Sequence, residues 1–373
     1  MPDTTHPVTR IPVLRPQLPD ADALLPYLRS LDESRIYTNL GPMVLRLEQR
    51  LCALFGQANG GVTAAASGTA ALIGAILTKA GRAGDRPLAL CPSYTFVATV
   101  TAAQGCGYQP HLVDIASDSC ALDPNALRTH PRLADVGVVL VTAPFGRCVD
   151  LPAWERFEAD TGVPVVIDCA AGFDTLLRHG SRLSATIPMA VSFHATKSFG
   201  CGEGGAVLCA DPDFARRCHR ALNNGLLGCR QVVGDNTNGK MSEYHACVGM
   251  AELDRWPDKQ ARYDRMVADY RMAAQQAGVK VQVGGAQSAV YALYTCPEAQ
   301  RAEGLRMALA YDGFDSRFWY GAGLHAENGF GPFPQDLLPH TDDVAPRVLG
   351  LPAYLDLPRD EMQQICAIIA RST

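Results

Sequence analysis

Ser192-Phe193-His194-Ala195-Thr196-Lys197-Ser198-Phe199-Gly200-Cys201-Gly202-Glu203-Gly204-Gly205 sets a single lysine between two apolar runs. Ala190 to His194 leads into it and Gly205 to Cys209 follows, each with the composition of a buried strand. The glycines after the lysine allow sharp turns and close backbone approach. Ser192, His194, Thr196 and Ser198 place small polar groups around the amine. A lysine in such surroundings can have a depressed pKa and attack an aldehyde. A lysine after a strand is also commonly a solvated surface residue, and these residues alone leave both readings open.

Outward from this stretch, short apolar runs alternate with helical patterns. Strands are expected at Leu88 to Cys91, His111 to Ile115, Val136 to Thr142 and Val163 to Ile167. Helices are expected at Thr95 to Gln104 and at Pro152 to Asp160, the latter with proline in its first turn and Gly162 just past its end. Near-continuous apolar strands separated by helices predict an α/β fold with a mostly parallel sheet covered on both faces. The pattern changes near Met241. Ser242 to Ala277 reads as helical with an interruption at Trp256-Pro257. A smaller mixed domain follows, with strands near Val279 to Val283 and Ala289 to Thr295, a helix near Pro297 to Tyr311, a loop from Gly321 to Asp343, and a closing helix from Pro358 to Ala370.

The bulk composition narrows the classes. The chain has 373 residues, 47% of them hydrophobic, which suits a large domain plus a smaller one. Its formal charge of −5 includes no strongly basic block, which argues against nucleic acid as a partner. No run of eighteen apolar residues suggests a membrane span, and Met1 to Arg10 lacks the order of a secretion signal. Thirteen cysteines occur without a Cys-x-x-Cys pair, so neither a disulfide framework nor a metal is expected and a reducing cytoplasm fits.

Two further stretches carry chemistry. Ser67-Gly68-Thr69 opens the apolar helical run Ala70 to Leu77. Free N–H groups and the positive helix end make such a turn a phosphate cradle, and the same residues also serve as an ordinary N-cap. Asp168 ends the run Val166-Ile167-Asp168. A carboxylate at the C-terminal end of a parallel strand lies where such sheets bind ligands, although it can also be a helix cap or a structural ion-pair partner.

Taken in order, these stretches resemble the DegT/DnrJ/EryC1/StrS sugar aminotransferases, a group of fold-type I pyridoxal-phosphate enzymes. The resemblance runs from about Tyr37 to the C-terminus. It includes Thr38-Asn39-Leu40-Gly41-Pro42, Ser67-Gly68-Thr69, Pro92-Ser93-Tyr94-Thr95-Phe96-Val97-Ala98-Thr99, Asp168, Ser192 to Lys197, Asn238-Gly239-Lys240-Met241-Ser242-Glu243 and Leu351-Pro352. It implies a large domain, residues 1–245, with a mostly parallel seven-stranded sheet between helices, and a small C-terminal α/β domain, residues 246–373. It also implies pyridoxal 5'-phosphate held by Lys197 as a Schiff base, with Asp168 against the pyridine nitrogen and Phe96 stacked on the ring. Gly68, Thr69 and Ser192 then hold the phosphate, and Asn238 reaches the phosphate of a neighbouring subunit in a homodimer. Thr38, Lys240, Arg317, Tyr320 and His325 fall in substrate-side regions, as does Leu226 to Arg230.

The chain departs from the family where Ile167 and Ala171 replace an acidic residue and a Gln or His, and where Lys240 replaces an arginine. The implied reaction moves an amino group, with glutamate as donor, to a nucleotide-linked keto-deoxysugar. The alternatives are another reaction on the scaffold, such as keto-sugar dehydration, whose catalysts carry His in place of the lysine, and a non-enzymatic binding role.

Overall fold

The computed structural model describes residues 10–57, 60–180, 182–329 and 333–372. Residues 1–9 of the polar N-terminus and 330–332 of the expected loop lie outside the described residues. Seven strands form the larger sheet: β1 (Val62–Ala65), β2 (Leu88–Pro92), β3 (Gln109–Val113), β4 (Val136–Thr142), β5 (Val165–Asp168), β6 (Met189–Ser192) and β7 (Gly205–Leu208). Their order is β1-β7-β6-β5-β4-β2-β3. The strands from β3 to β6 run parallel, and β7 is antiparallel to both β6 and β1. The expected mostly parallel sheet is therefore present.

Its strands are buried on both faces, which explains their unbroken apolar composition. One face packs Leu72, Ala75 and Ile76 of the helix Gly68–Lys79 against Val138, Leu140 and Val166. The other packs Leu47, Leu51, Trp154, Phe157 and Met250 against Val139, Val141 and Ile167. Alternate residues of one strand thus serve opposite cores.

A second core surrounds the antiparallel sheet of β8 (Gln282–Val283), β9 (Ala292–Thr295), β10 (Arg317–Phe318) and β11 (Val348–Leu351), in the order β10-β11-β9-β8. The helices Ala299–Tyr311 and Arg359–Ser372 cover it.

Several local expectations change. The helix Glu243–Ala277 continues through Pro257, where an interruption was expected. Proline removes one backbone donor there, and tertiary packing compensates. Trp256 is buried against Phe173 and Phe199, and the buried Glu252–Lys259 pair brackets the proline. The helix expected from Thr95 begins only at Ala98, because Thr95 commits its hydroxyl to Thr99 and Thr142. The region 289–291 is a turn, not strand, so β9 begins at Ala292. The expected loop from Gly321 holds the helix Pro339–Val344, whose first turn is fixed by Asp114: its carboxylate accepts His340 N–H and Thr341 N–H, both at 2.8 Å.

Candidate active site

Thr142, Asp168 and Ser192 are the last residues of the adjacent parallel strands β4, β5 and β6. All three line one cavity of about 410 Å³, together with Ser67, Gly68, Thr69, Phe96 and Lys197. The ligand side of an open parallel sheet is the carboxyl end of its strands, and the sequence places its polar residues at those ends.

Asp168 is 4% exposed. Its Oδ2 accepts the Thr99 hydroxyl at 2.7 Å and its Oδ1 accepts Ala170 N–H at 3.1 Å. Thr99 Oγ1 lies 2.9 Å from Thr95 Oγ1, which lies 2.7 Å from Thr142 Oγ1. This hydroxyl chain runs from the end of β4 to the carboxylate at the end of β5 and fixes its orientation. Burial raises the Asp168 pKa, opposed by the Thr99 and Ala170 hydrogen bonds and by the charge of Lys197. Burial lowers the Lys197 pKa, opposed by the charge of Asp168. An amine depressed in this way has a larger neutral, nucleophilic fraction.

The turn that carries Lys197 is built from backbone bonds. Ala195 N–H donates to Gly202 O, Phe193 N–H to Gly204 O and Lys197 N–H to His194 O, each at 2.9 Å. Two glycines are required here. A Cβ on Gly205 would lie 2.7 Å from both Ser67 O and Val191 O, and one on Gly68 would lie 2.8 Å from Ser192 Cβ. These contacts press the Ser67–Thr69 turn against the end of β6. Ser67 caps the helix by accepting Ala70 N–H at 3.1 Å. The Gly68 and Thr69 N–H groups have no intrahelical acceptor, as expected for a first turn.

The arrangement fits pyridoxal phosphate. The helix start, Thr69 and Ser192 offer donors to an anion, and the buried carboxylate and the amine line the same cavity. Phe96 is 62% exposed, an unusual state for a phenylalanine, and its ring borders the cavity as a free stacking surface.

The structure also brings Arg317 and Tyr320 to the cavity, Arg317 with its guanidinium 4.8 Å above the Trp319 ring. Tyr320 stacks on Phe145 and accepts Phe145 N–H at 3.3 Å. His325 is not on the cavity wall. Its Nδ1 lies 2.7 Å from Ser93 Oγ and its Nε2 3.0 Å from Asp342, so it anchors the turn Leu324–Ala326. Thr38 and the segment from Leu226 to Arg230 lie outside this chain's cavity wall, as do Asn238 and Lys240. Asn238 is exposed and accepts a hydrogen bond from Lys240 Nζ, while Gly239 O accepts Ala66 N–H at 2.7 Å, next to the Ser67 turn.

Thr95, Thr99, Thr142 and Tyr291 belong to the cavity wall or its hydroxyl chain without any motif that marks them as such. The spacing of Thr95 and Thr99, four apart, was the available signal for the first two. Tyr291 carried none, since only the second core brings it to the cavity.

Among the described residues, one trio of metal-capable side chains converges: His111, His130 and Asp336. The Nε2 atoms of His111 and His130 lie 2.8 and 3.1 Å from the Asp336 oxygens. His130 Nδ1 accepts Arg132 N–H at 3.2 Å, so the ring proton sits on Nε2 and points at Asp336 as a donor. The trio clamps this segment to β3, alongside the bonds Leu112 N–H to Pro334 O at 2.8 Å and Asp336 N–H to Leu112 O at 2.9 Å.

Comparison with known proteins gives the following. Residues 20–370 match the DegT/DnrJ/EryC1/StrS aminotransferase family. Protein Rv3402c of Mycobacterium tuberculosis is 28% identical over 97% of this chain and 90% of its own length. A crystal structure of a putative pyridoxal-phosphate-dependent aminotransferase from Bacillus cereus superimposes with a TM-score of 0.89 at 31% identity, covering 96% of this chain and 99% of that one. DesI, crystallised in the presence of its TDP-sugar product, superimposes with a TM-score of 0.83 at 27% identity, covering 97% and 93%.

Proposed function

Because the chain belongs to the DegT/DnrJ/EryC1/StrS aminotransferase family, we propose that it carries an amino group from glutamate to a nucleotide-linked keto-deoxysugar, with Lys197 as the reacting amine. The observation that carries the catalytic assignment is the meeting of Lys197, Asp168, the Ser67–Thr69 turn and Arg317 in one cavity. The TDP-sugar product in DesI supports the acceptor class.

Bound pyridoxal phosphate supplies an aldehyde and an electron-accepting ring. Gly68, Thr69 and Ser192 would hold its phosphate, and Phe96 would offer its ring a stacking surface. Asp168, oriented by Thr99 and Ala170, would hold a proton on the pyridine nitrogen. Lys197 Nζ takes the α-proton from the donor and later delivers one to the acceptor. Arg317 is the guanidinium on the cavity wall, charged at any working pH, and it receives the donor carboxylate.

Two expected results follow from this assignment. Gly68→Ala puts a methyl group into contact with Ser192. Forced overpacking costs about 1–3 kcal/mol, so cofactor affinity falls by about 10-fold, read by fluorescence titration of the apoenzyme; unchanged affinity removes Gly68 from the cradle. Arg317→Gln raises the KM for the donor by about 10- to 100-fold, the worth of a charged hydrogen bond, with a smaller change in kcat. Arg317→Lys recovers only part of this, since a planar fork is lost. An unaltered donor KM eliminates Arg317 as the carboxylate site.

We further propose a homodimer with shared sites in the cytoplasm. Support for the dimer comes from exposed apolar groups: Tyr37 stacks on Tyr244 with both rings exposed, and Ile36, Leu45, Val232 and Val233 are exposed as well. Asn238 is exposed beside the phosphate turn and available to a second copy. Mixing Lys197→Ala with Asn238→Ala protomers tests sharing: hybrid dimers regain activity only if each site draws on both chains. The absence of disulfides among the described cysteines is compatible with a reducing compartment. The acceptor class is tested by a panel of nucleotide keto-sugars with glutamate and product analysis. No amination across the panel redirects the search to non-nucleotide ketones.

A further inference from the structure

We propose that Asp174 is a positioning residue for amino transfer, one buried carboxylate that holds the residue after Lys197 and the opposite cavity wall in fixed relation. Asp174 is 1% exposed and lies in the first turn of the helix Phe173–Arg178. Its Oδ1 accepts the Ser198 hydroxyl at 3.0 Å and the Ser288 hydroxyl at 2.6 Å. Its Oδ2 accepts Ala289 N–H at 2.9 Å and the Arg178 guanidinium at 3.3 Å.

Ser198 directly follows Lys197, and Ser288-Ala289 directly precede Val290 and Tyr291, which line the cavity. The amine comes from the sheet end and this wall comes from the second core. Neither element packs the other into register through strand pairing, because residues 288–291 lie outside both sheets. Asp174 supplies that register. The same knot includes the turn after β4: Ser288 N–H donates to Phe145 O at 3.0 Å, and Thr175 donates its hydroxyl to Gly146 O. Phe145 sits there at φ 56, a conformation that a non-glycine residue keeps only when its surroundings hold it. A charge pair with Arg178 alone would need neither serine. Both hydroxyls turn to the same oxygen, so a shift of either segment is felt by the other.

This proposal rests on Lys197 carrying the cofactor. The test uses holoenzyme and reads the absorption band of the lysine-bound cofactor across pH, with melting temperature measured alongside. In Asp174→Asn and in Ser288→Ala the pH midpoint of the band is expected to move by about half a unit, comparable to one lost hydrogen bond, and to move up in Ser288→Ala, where no charge is lost. A loosened nitrogen gains water, which favours its charged form. Turnover falls by about 10-fold through misplacement of the reacting groups. Ser198→Ala gives a similar shift, and the Ser198→Ala, Ser288→Ala double variant shifts by less than the sum, because both act through one carboxylate.

A lowered melting temperature with an unmoved midpoint in Ser288→Ala and Asp174→Asn overturns the proposal and leaves Asp174 as a structural ion-pair residue. Additive shifts in the double variant also overturn it. A band that survives Lys197→Ala overturns the lysine assignment and this proposal with it. A band lost there but indifferent to Asp174 overturns the proposal alone.

Discussion

Replacing Lys197 by alanine is expected to lower turnover by at least about 10⁴-fold, the upper range for deleting a general acid–base. The loss is that large because one side chain has two duties. In the proposed function it is the nucleophile that would hold the cofactor aldehyde, and its amine would carry the proton at the reacting carbon. Fold stability is expected to change little or to improve. The amine is desolvated, its pKa is pulled down by that burial, and only the Asp168 charge opposes the effect. Removing a group strained by burial at a functional site often stabilises the protein. The check is single-turnover kinetics with donor alone, beside a melting curve. A small primary amine added to the alanine variant is expected to restore part of the proton transfer. Retention of more than a hundredth of the wild-type rate would show that another base acts.

Asp168→Asn is expected to separate activity from stability in the same way. Activity falls by about 10²–10³-fold, the usual loss when one oriented electrostatic partner of a reacting group is removed. An amide does not stabilise a positive charge on the pyridine nitrogen, so the ring accepts electrons less well. Stability of the apoenzyme moves in the other direction near neutral pH. Burial raises the Asp168 pKa, so the carboxylate form is disfavoured in the fold relative to the unfolded chain. For such a group, the favourable contribution is present below the unfolded pKa and is lost as pH rises through the folded value. The asparagine variant is free of that loss, so its melting temperature is expected to exceed that of wild-type apoenzyme at pH 7 and to approach it in acid. The Thr142–Thr95–Thr99 hydroxyls tolerate the change, because each can donate or accept and the chain can reverse. An apoenzyme difference that does not depend on pH would exclude Asp168 ionisation as its cause.

The contrast between Asp168 and Tyr291 shows what kind of residue was legible before folding. Asp168, Ser192 and Thr142 sit at the ends of apolar runs, and strand ends are visible in sequence because composition changes there. The Ser67–Thr69 turn was legible as a candidate phosphate cradle because it precedes an apolar helix. Phe96 stood out only through resemblance, since its distinguishing property is exposure, and a phenylalanine in sequence is by default a core residue. Its exposure arises because the helix starts at Ala98, two residues later, once Thr95 bonds to Thr142 across the sheet. His325 lies off this chain's cavity wall for the opposite reason. It lies in a polar stretch of the kind that lines sites, yet Ser93 and Asp342 occupy both of its ring nitrogens.

Pro257 illustrates the same limit at the level of a whole element. Local chemistry called for a break, and the burial of Trp256 with the Glu252–Lys259 pair outweighs one lost backbone bond.

By itself, then, the sequence determined the α/β class and the parallel character of the larger sheet, and through the family motifs it pointed to the cofactor and to Lys197 as the proposed reacting amine. Each depends on periodicity or on short motifs whose residues are neighbours in the chain. Only the tertiary structure decided what surrounds the lysine: the hydroxyl chain to Asp168, the Arg317 and Tyr291 wall, and the Asp174 knot. These contacts join residues tens to hundreds of positions apart, and no local pattern encodes which of many buried polar groups will meet. Their pairing is set by how two cores pack, because a buried carboxylate such as Asp174 is stable only where the fold brings donors to it.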